Sequence, residues 1–267
     1  VAEALRALGT GFIQDRGNDA LRARLDSGQL TAHALFEQLL RLVYRLIFLA
    51  TLEDRRTEDG HRLAFAPDAT GQAMELYERG YSLTRLRDLA AKRRHYDHHG
   101  DLWQALSIAF AGLGLGQPAL GLPALGGLFA ADRCPDLDGA QLENRHLLRA
   151  VFSLCFFREG AALSRVNYRD MDTEELGSVY ESLLELVPVV EVAARRFAFV
   201  GDDLSSPSPT GRGARGEGEA STKGHARKLT GSYYTPDSLV QELIRSALEP
   251  VIERRLSEAG RMANSEW

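Results

Sequence analysis

From Thr31 to Asp54 the chain reads TAHALFEQLLRLVYRLIFLATLED. Leu35, Leu39, Leu42, Val43, Leu46, Ile47, Leu49 and Ala50 return at helical spacing and spread over much of the helix circumference. Arg41 and Arg45 sit one turn apart inside this run, which fits a helix enclosed by protein and not one enclosed by lipid. Thr31 is placed to cap its start, and Glu53, Asp54, Arg55 and Arg56 close it in charge. Such a helix is stable only with other elements packed around it. With 267 residues, 44% of them hydrophobic and 26% charged, the chain has the material for one or two domains with a buried core.

The spacing predicts helix through most of residues 1–111. Ser82 is placed to cap a helix carrying Leu83, Leu86 and Leu89, and Asp101 one carrying Leu102, Trp103, Leu106 and Phe110. From Gly112 to Pro135, GLGLGQPALGLPALGGLFAADRCP has no lasting period and reads as a packed loop. Helix is expected again from Leu142 to Phe157. A short amphipathic helix follows Asp172, which with Glu175 has capping-box spacing. Val187–Val192 and Arg195–Val200 are suited to pair as a hairpin. Gly201–Ala226 has almost no large apolar side chains, so ordering it would cost backbone entropy with little burial in return. It is expected to be a flexible insertion. A last helix is expected from Asp237 to Glu258, kinked or broken at Pro250. The fold class is therefore mainly α: a helical bundle-like region with one small β hairpin and one long disordered tract. Its divisions fall at 1–111, a connector at 112–200, the insertion at 201–226, and a further segment at 227–267. Leu42, Leu46, Leu49, Phe110, Leu148, Leu176, Leu183, Leu243 and Ile244 are the expected core.

Composition excludes several functions. A formal charge of −5 argues against a chain that coats nucleic acid over its whole surface. Cys134 and Cys155 are too few to staple a fold of this size and lack zinc-site spacing. No stretch of about 18 uncharged apolar residues occurs, and the opening VAEALRALGTGF lacks the marks of a secretory leader. A cytoplasmic protein with no membrane partner is the expectation. Gly112–Gly116 mimics a dinucleotide loop, but the third glycine slot holds Gln117 and no strand precedes it. His95, Asp97, His98 and His99 have no second ligand cluster to match them and read as a solvated helix end. Lys92, Lys223 and Lys228 are the only lysines. Two positions before them stand Ala90, Ser221 and Ala226, not the acidic residues of a two-metal nuclease.

One segment points toward a ligand. In KLTGSYYTPDSL (Lys228–Leu239), Thr235 is a good N-cap, Pro236 fits the first helical turn and Asp237 suits the helix dipole. The free amides of such a turn can hold a carboxylate, and Tyr233 and Tyr234 offer flat faces to a ring. Arg227–Leu248 resembles the entry into the methyltransferase domain of type IIG-like restriction–modification enzymes and of the related adenine-N6 DNA methyltransferases of phage-defence systems. Leu39–Arg55, Leu120–Phe129 and Val166–Leu186 resemble the region upstream of that domain, so the likeness runs through most of the chain in order. It implies that Tyr234, Thr235 and Pro236, with Tyr233 beside them, contact the methionine part of S-adenosylmethionine. It also implies double-stranded DNA as a partner of the intact enzyme, with phosphate contacts through arginines such as Arg93 and Arg94. The family's catalytic loop, Asn-Pro-Pro and an aromatic residue, accepts from the amino group of a flipped adenine. The nine prolines here include no Pro-Pro pair. The expectation is thus an N-terminal and connector portion that ends before the catalytic loop and is inactive alone. The alternatives are a non-catalytic helical module docking on a separate methyltransferase or defence protein, and a direct DNA-binding scaffold.

Overall fold

The computed structural model describes residues 1–160, 162–170, 183 and 186–202. All but Leu183 belong to one compact unit, Val1–Met171 with Leu186–Arg215. These residues are mainly helical, with two small antiparallel sheets of two strands each. The helices are α1 (Ala2–Gln14), α2 (Asp19–Asp26), α3 (Ala32–Asp54), α4 (Gly71–Gly80), α5 (Leu83–Ala90), α6 (Asp101–Leu115) and α7 (Asn144–Cys155). Strands β1 (Phe156–Glu159) and β2 (Ala162–Arg165) form one hairpin, β3 (Pro188–Glu191) and β4 (Arg196–Phe199) the other.

Helix α1 lies against α3, α7 and β4. Two of its glycines explain how closely. A Cβ at Gly9 would fall 2.4 Å from the Phe197 ring, and one at Gly11 would fall 2.6 Å from His146 Cβ. Missing side chains thus let β4 and α7 approach the α1 backbone. Arg6 then clamps the far end of the β3–β4 hairpin through a bidentate pair with Asp202, at 2.7 and 2.8 Å. The hairpin itself matches the expected strands, with Pro188 opposite Phe199 and Glu191 opposite Arg196.

Helix α3 starts where the sequence says, and Thr31 Oγ1 accepts from Ala34 N at 3.1 Å. Ser82 caps α5 in the same way at 3.2 Å. Arg45 is 1% exposed. Its guanidinium donates to the carbonyls of Leu128 (2.9 Å) and Ala130 (3.1 Å) and to Asp138 (2.5 Å), so the charge that interrupts the apolar run holds down the following loop. Leu42, Leu46, Leu49, Phe110, Leu148 and Leu183 are buried as expected. Leu176, Leu243 and Ile244 lie outside the described residues, as do the expected helices after Asp172 (Leu183 apart) and after Asp237, and the Gly201–Ala226 tract beyond Asp202. Among the described residues no helix is long and apolar enough to cross a membrane.

Three local expectations are corrected. Asp101 is the first helical residue of α6, not its cap; Gly100 takes the cap position, and Asn144 Oδ1 accepts from Leu102 N at 3.2 Å. Helix α6 runs on through Gly112 to Leu115, into the segment read as loop. Its glycines are there for clearance: a Cβ on Gly114 would lie 2.7 Å from the Phe129 carbonyl oxygen. Helix α7 begins at Asn144 and ends at Cys155, because Phe156 and Phe157 turn outward into the β1–β2 hairpin. The Val166 amide donates to the Cys155 carbonyl at 2.9 Å and fixes that exit.

Candidate functional site

The end of α3 meets the start of α5 at Glu53. One carboxylate oxygen accepts from Tyr77 Oη (2.6 Å) and Leu83 N (2.7 Å), the other from Thr84 N and Thr84 Oγ1 (both 2.7 Å). The two amides belong to the first turn of α5, so Glu53 completes from a distance the cap that Ser82 begins. Burial holds the Glu53 carboxyl above its ordinary value even against these four donors, and burial also pushes the Tyr77 phenol well above its own. These four contacts make Glu53 a fastener that joins the end of α3 to α4 and α5.

Beside it opens a cleft of about 460 Å³ between α4 and α5, with Arg85 and Lys92 in its lining. A second cleft of about 630 Å³ shares Arg85 and Leu89 with the first and continues past His95 and His99 to the start of α6. Its floor is a hydrogen-bonded knot: Asn144 Nδ2 donates to Asp97 and Asp101, both at 2.8 Å. Several carboxylates around the first cleft carry ion-pair partners, of which Arg62 and Arg79 line the cleft themselves. Glu78 pairs with Arg62, Glu75 with Arg79 (2.6 Å), Asp54 with Arg87 (3.3 Å) and Asp88 with Arg165 (3.1 Å).

That pairing leaves a run of cations over. Among the described residues no carboxylate forms an ion pair with Arg85, Lys92, Arg93 or Arg94. Lys92, Arg93 and Arg94 are exposed, the last two in a single 3₁₀ turn (Arg93–His95) that follows α5. Arg85 is half-buried, its Nη1 donating to the Gly80 carbonyl at 3.4 Å, and Arg94 Nε donates to His95 Nε2 at 3.2 Å. Arg93 and Arg94 were legible as a basic pair. Arg85 was not, because nothing in TRLRDL separates it from Arg87, which the fold pairs with Asp54.

The predicted cofactor residues Tyr233, Tyr234, Thr235 and Pro236 lie outside the described residues. No group of three His, Cys, Asp or Glu side chains able to hold a metal occurs among the described residues, so His95, Asp97, His98 and His99 do not converge. The thiols are buried, and burial pushes Cys134 up to about 11 and Cys155 up to about 12, which keeps both protonated at neutral pH. No family model, curated protein or solved structure matches this chain.

Proposed function

We propose that this chain is the helical N-terminal and connector part of an S-adenosylmethionine-dependent, adenine-N6-specific DNA methyltransferase of a restriction–modification or phage-defence system. The observation that carries the reading is the sequence Lys228–Leu239, in which a tyrosine pair is followed directly by Thr-Pro-Asp. In it Tyr234, Thr235 and Pro236 hold the methionine end of the cofactor, with Tyr233 beside them. The helices before it serve as scaffold and meet the DNA partner. Methyl transfer itself belongs to a loop that these residues do not include, since no Pro-Pro pair is present.

Calorimetric titration with S-adenosylmethionine tests the reading. Weak binding is expected, lost in Tyr234→Ala and Thr235→Gly; an unchanged affinity in both variants overturns the assignment. In parallel, the chain incubated with duplex DNA and labelled cofactor is expected to transfer no label. Incorporation above background would show that the reading of the missing loop is wrong.

A second reading, a non-catalytic helical module that docks on a separate methyltransferase or defence protein, is favoured by one feature. Ile108 and Leu115 stand on one face of α6, 47% and 86% exposed, where a helix of a monomer would carry polar residues. Under that reading Leu115→Glu abolishes co-elution with the partner while cofactor affinity stays unchanged.

A further inference from the structure

We infer that the exposed face of α6 is the contact between two copies of this chain, which meet about a two-fold axis with Ile108 of one copy set against Leu115 of the other. The inference stands apart from the cofactor reading. It gives to a second copy the face that a docking module would offer to another protein.

Charge singles out the face. No Asp, Glu, Lys, Arg or His occurs among the thirty residues from Leu102 to Ala131, in a chain that is 26% charged. On α6, Gln104, Ile108, Ala111 and Leu115 follow one another at helical steps and are all exposed, so an uncharged stripe runs along the helix for about three turns. The surface widens on either side. The Leu125 amide donates to the Leu113 carbonyl at 2.7 Å, which sets Leu125, 43% exposed, beside the C-terminal end of α6. Phe48 of α3 is equally exposed; its ring lies 5.9 Å from that of Phe129, and Phe129 abuts Gly114 of α6. Large apolar side chains exposed together on a charge-free surface mark a protein contact.

Two features select a second copy as the occupant. The chain carries a formal charge of −5, so two copies repel one another over most of their surfaces. At this face neither copy brings a charge, and their contact neither desolvates an ion nor sets like charges together. The stripe is also complementary to itself. When two α6 helices are turned antiparallel about an axis beside Ala111, this small residue meets its own counterpart and lets the helices approach. Ile108 then stands against Leu115 of the other copy on both sides of the axis. Contact with a different protein requires no such symmetry.

Sedimentation velocity of the full chain over a concentration series up to about 200 μM, at low and high salt, tests the inference. A species of about twice 29.4 kDa is expected, held or favoured as salt rises, because salt screens the repulsion between copies. Leu115→Glu is expected to weaken self-association about 30-fold or more, and Ile108→Lys likewise. Mixing these two variants should restore a dimer, since one Ile108–Leu115 contact becomes a Lys–Glu pair while the other stays apolar. Leu163→Glu, at a residue of β2 with similar exposure (48%), should leave the dimer intact. A chain that stays monomeric throughout overturns the inference, as does a dimer that survives Leu115→Glu. Equal dissociation by Leu163→Glu overturns it too, and so does failure of the mixed variants to pair. Cofactor is absent from the experiment, so a failure here is separate from a failure of the Tyr234 and Thr235 titrations.

Discussion

Gly114 shows at the scale of one residue how the tertiary structure reverses a local preference. Helix propensity alone makes Gly→Ala worth about 1 kcal/mol of added stability inside a helix. Here the new Cβ would sit 2.7 Å from the Phe129 carbonyl oxygen, a backbone atom that cannot swing aside. Forcing such a contact costs about 1–3 kcal/mol. Gly114→Ala is therefore expected to lower stability, with the urea midpoint shifted downward and the slope unchanged; a raised midpoint would refute the close approach. Arg45 makes the complementary point. Its position inside an apolar run signals burial from sequence, but only the fold supplies the Leu128 and Ala130 carbonyls and the Asp138 carboxylate that make burial tolerable.

At the scale of elements, helix starts divide into two kinds. Thr31, Thr70 and Ser82 cap their own helices, each accepting from the amide three residues on, and such caps are written in adjacent sequence. The starts of α5 and α6 also draw on carboxylate and amide groups from elsewhere, Glu53 for the first and Asn144 for the second. Asn144 is the more exposed to test. It caps α6 with its oxygen and answers both Asp97 and Asp101 with its nitrogen, so Asn144→Ala removes a cap and strips two carboxylates of a donor at once. A loss of about 2–3 kcal/mol is expected. Hydrogen exchange at the Leu102 amide should rise, and Asp101→Ala should cost less, since Asn144 then keeps both its cap and Asp97. Equal costs would mean that Asp101 is the cap after all. The Asp101 expectation failed for a plain reason: a residue forty-three positions away outcompetes the local side chain, and no spacing rule can see it.

At the scale of the whole molecule, the packing of α1 against α7 sets a pH dependence. His146 Nε2 is buried with no hydrogen-bond partner among the described residues. Burial, with the nearby charges of Arg145 and Arg149, lowers its pKa from 6.5 to about 4. The folded chain thus resists a proton that the unfolded chain accepts, so stability is full above pH 6.5 and falls as pH drops from there to about 4. The loss is at most about 3 kcal/mol. His146→Leu should flatten this decline, which urea midpoints at pH 7 and pH 4.5 would read out; a parallel decline in the variant would remove His146 as the cause. Asp202 acts in a lower window. Its hydrogen bonds from Arg6 depress its pKa, so its contribution is lost only as pH falls below the ordinary carboxyl value and through its own lowered one. Across the molecule, the amino-acid order by itself determined the mainly helical class, the self-capped starts of α3 and α5, the β3–β4 hairpin and, among the described residues, the core positions Leu42, Leu46, Leu49, Phe110, Leu148 and Leu183. These follow from periodicities and caps that act within a turn or two of chain. The tertiary structure alone decided where α6 and α7 end, that Phe156 and Phe157 leave the helix for a strand, and which arginines keep a carboxylate. Such outcomes depend on approach distances and charge pairings between residues far apart in sequence, and those exist only once the chain has packed.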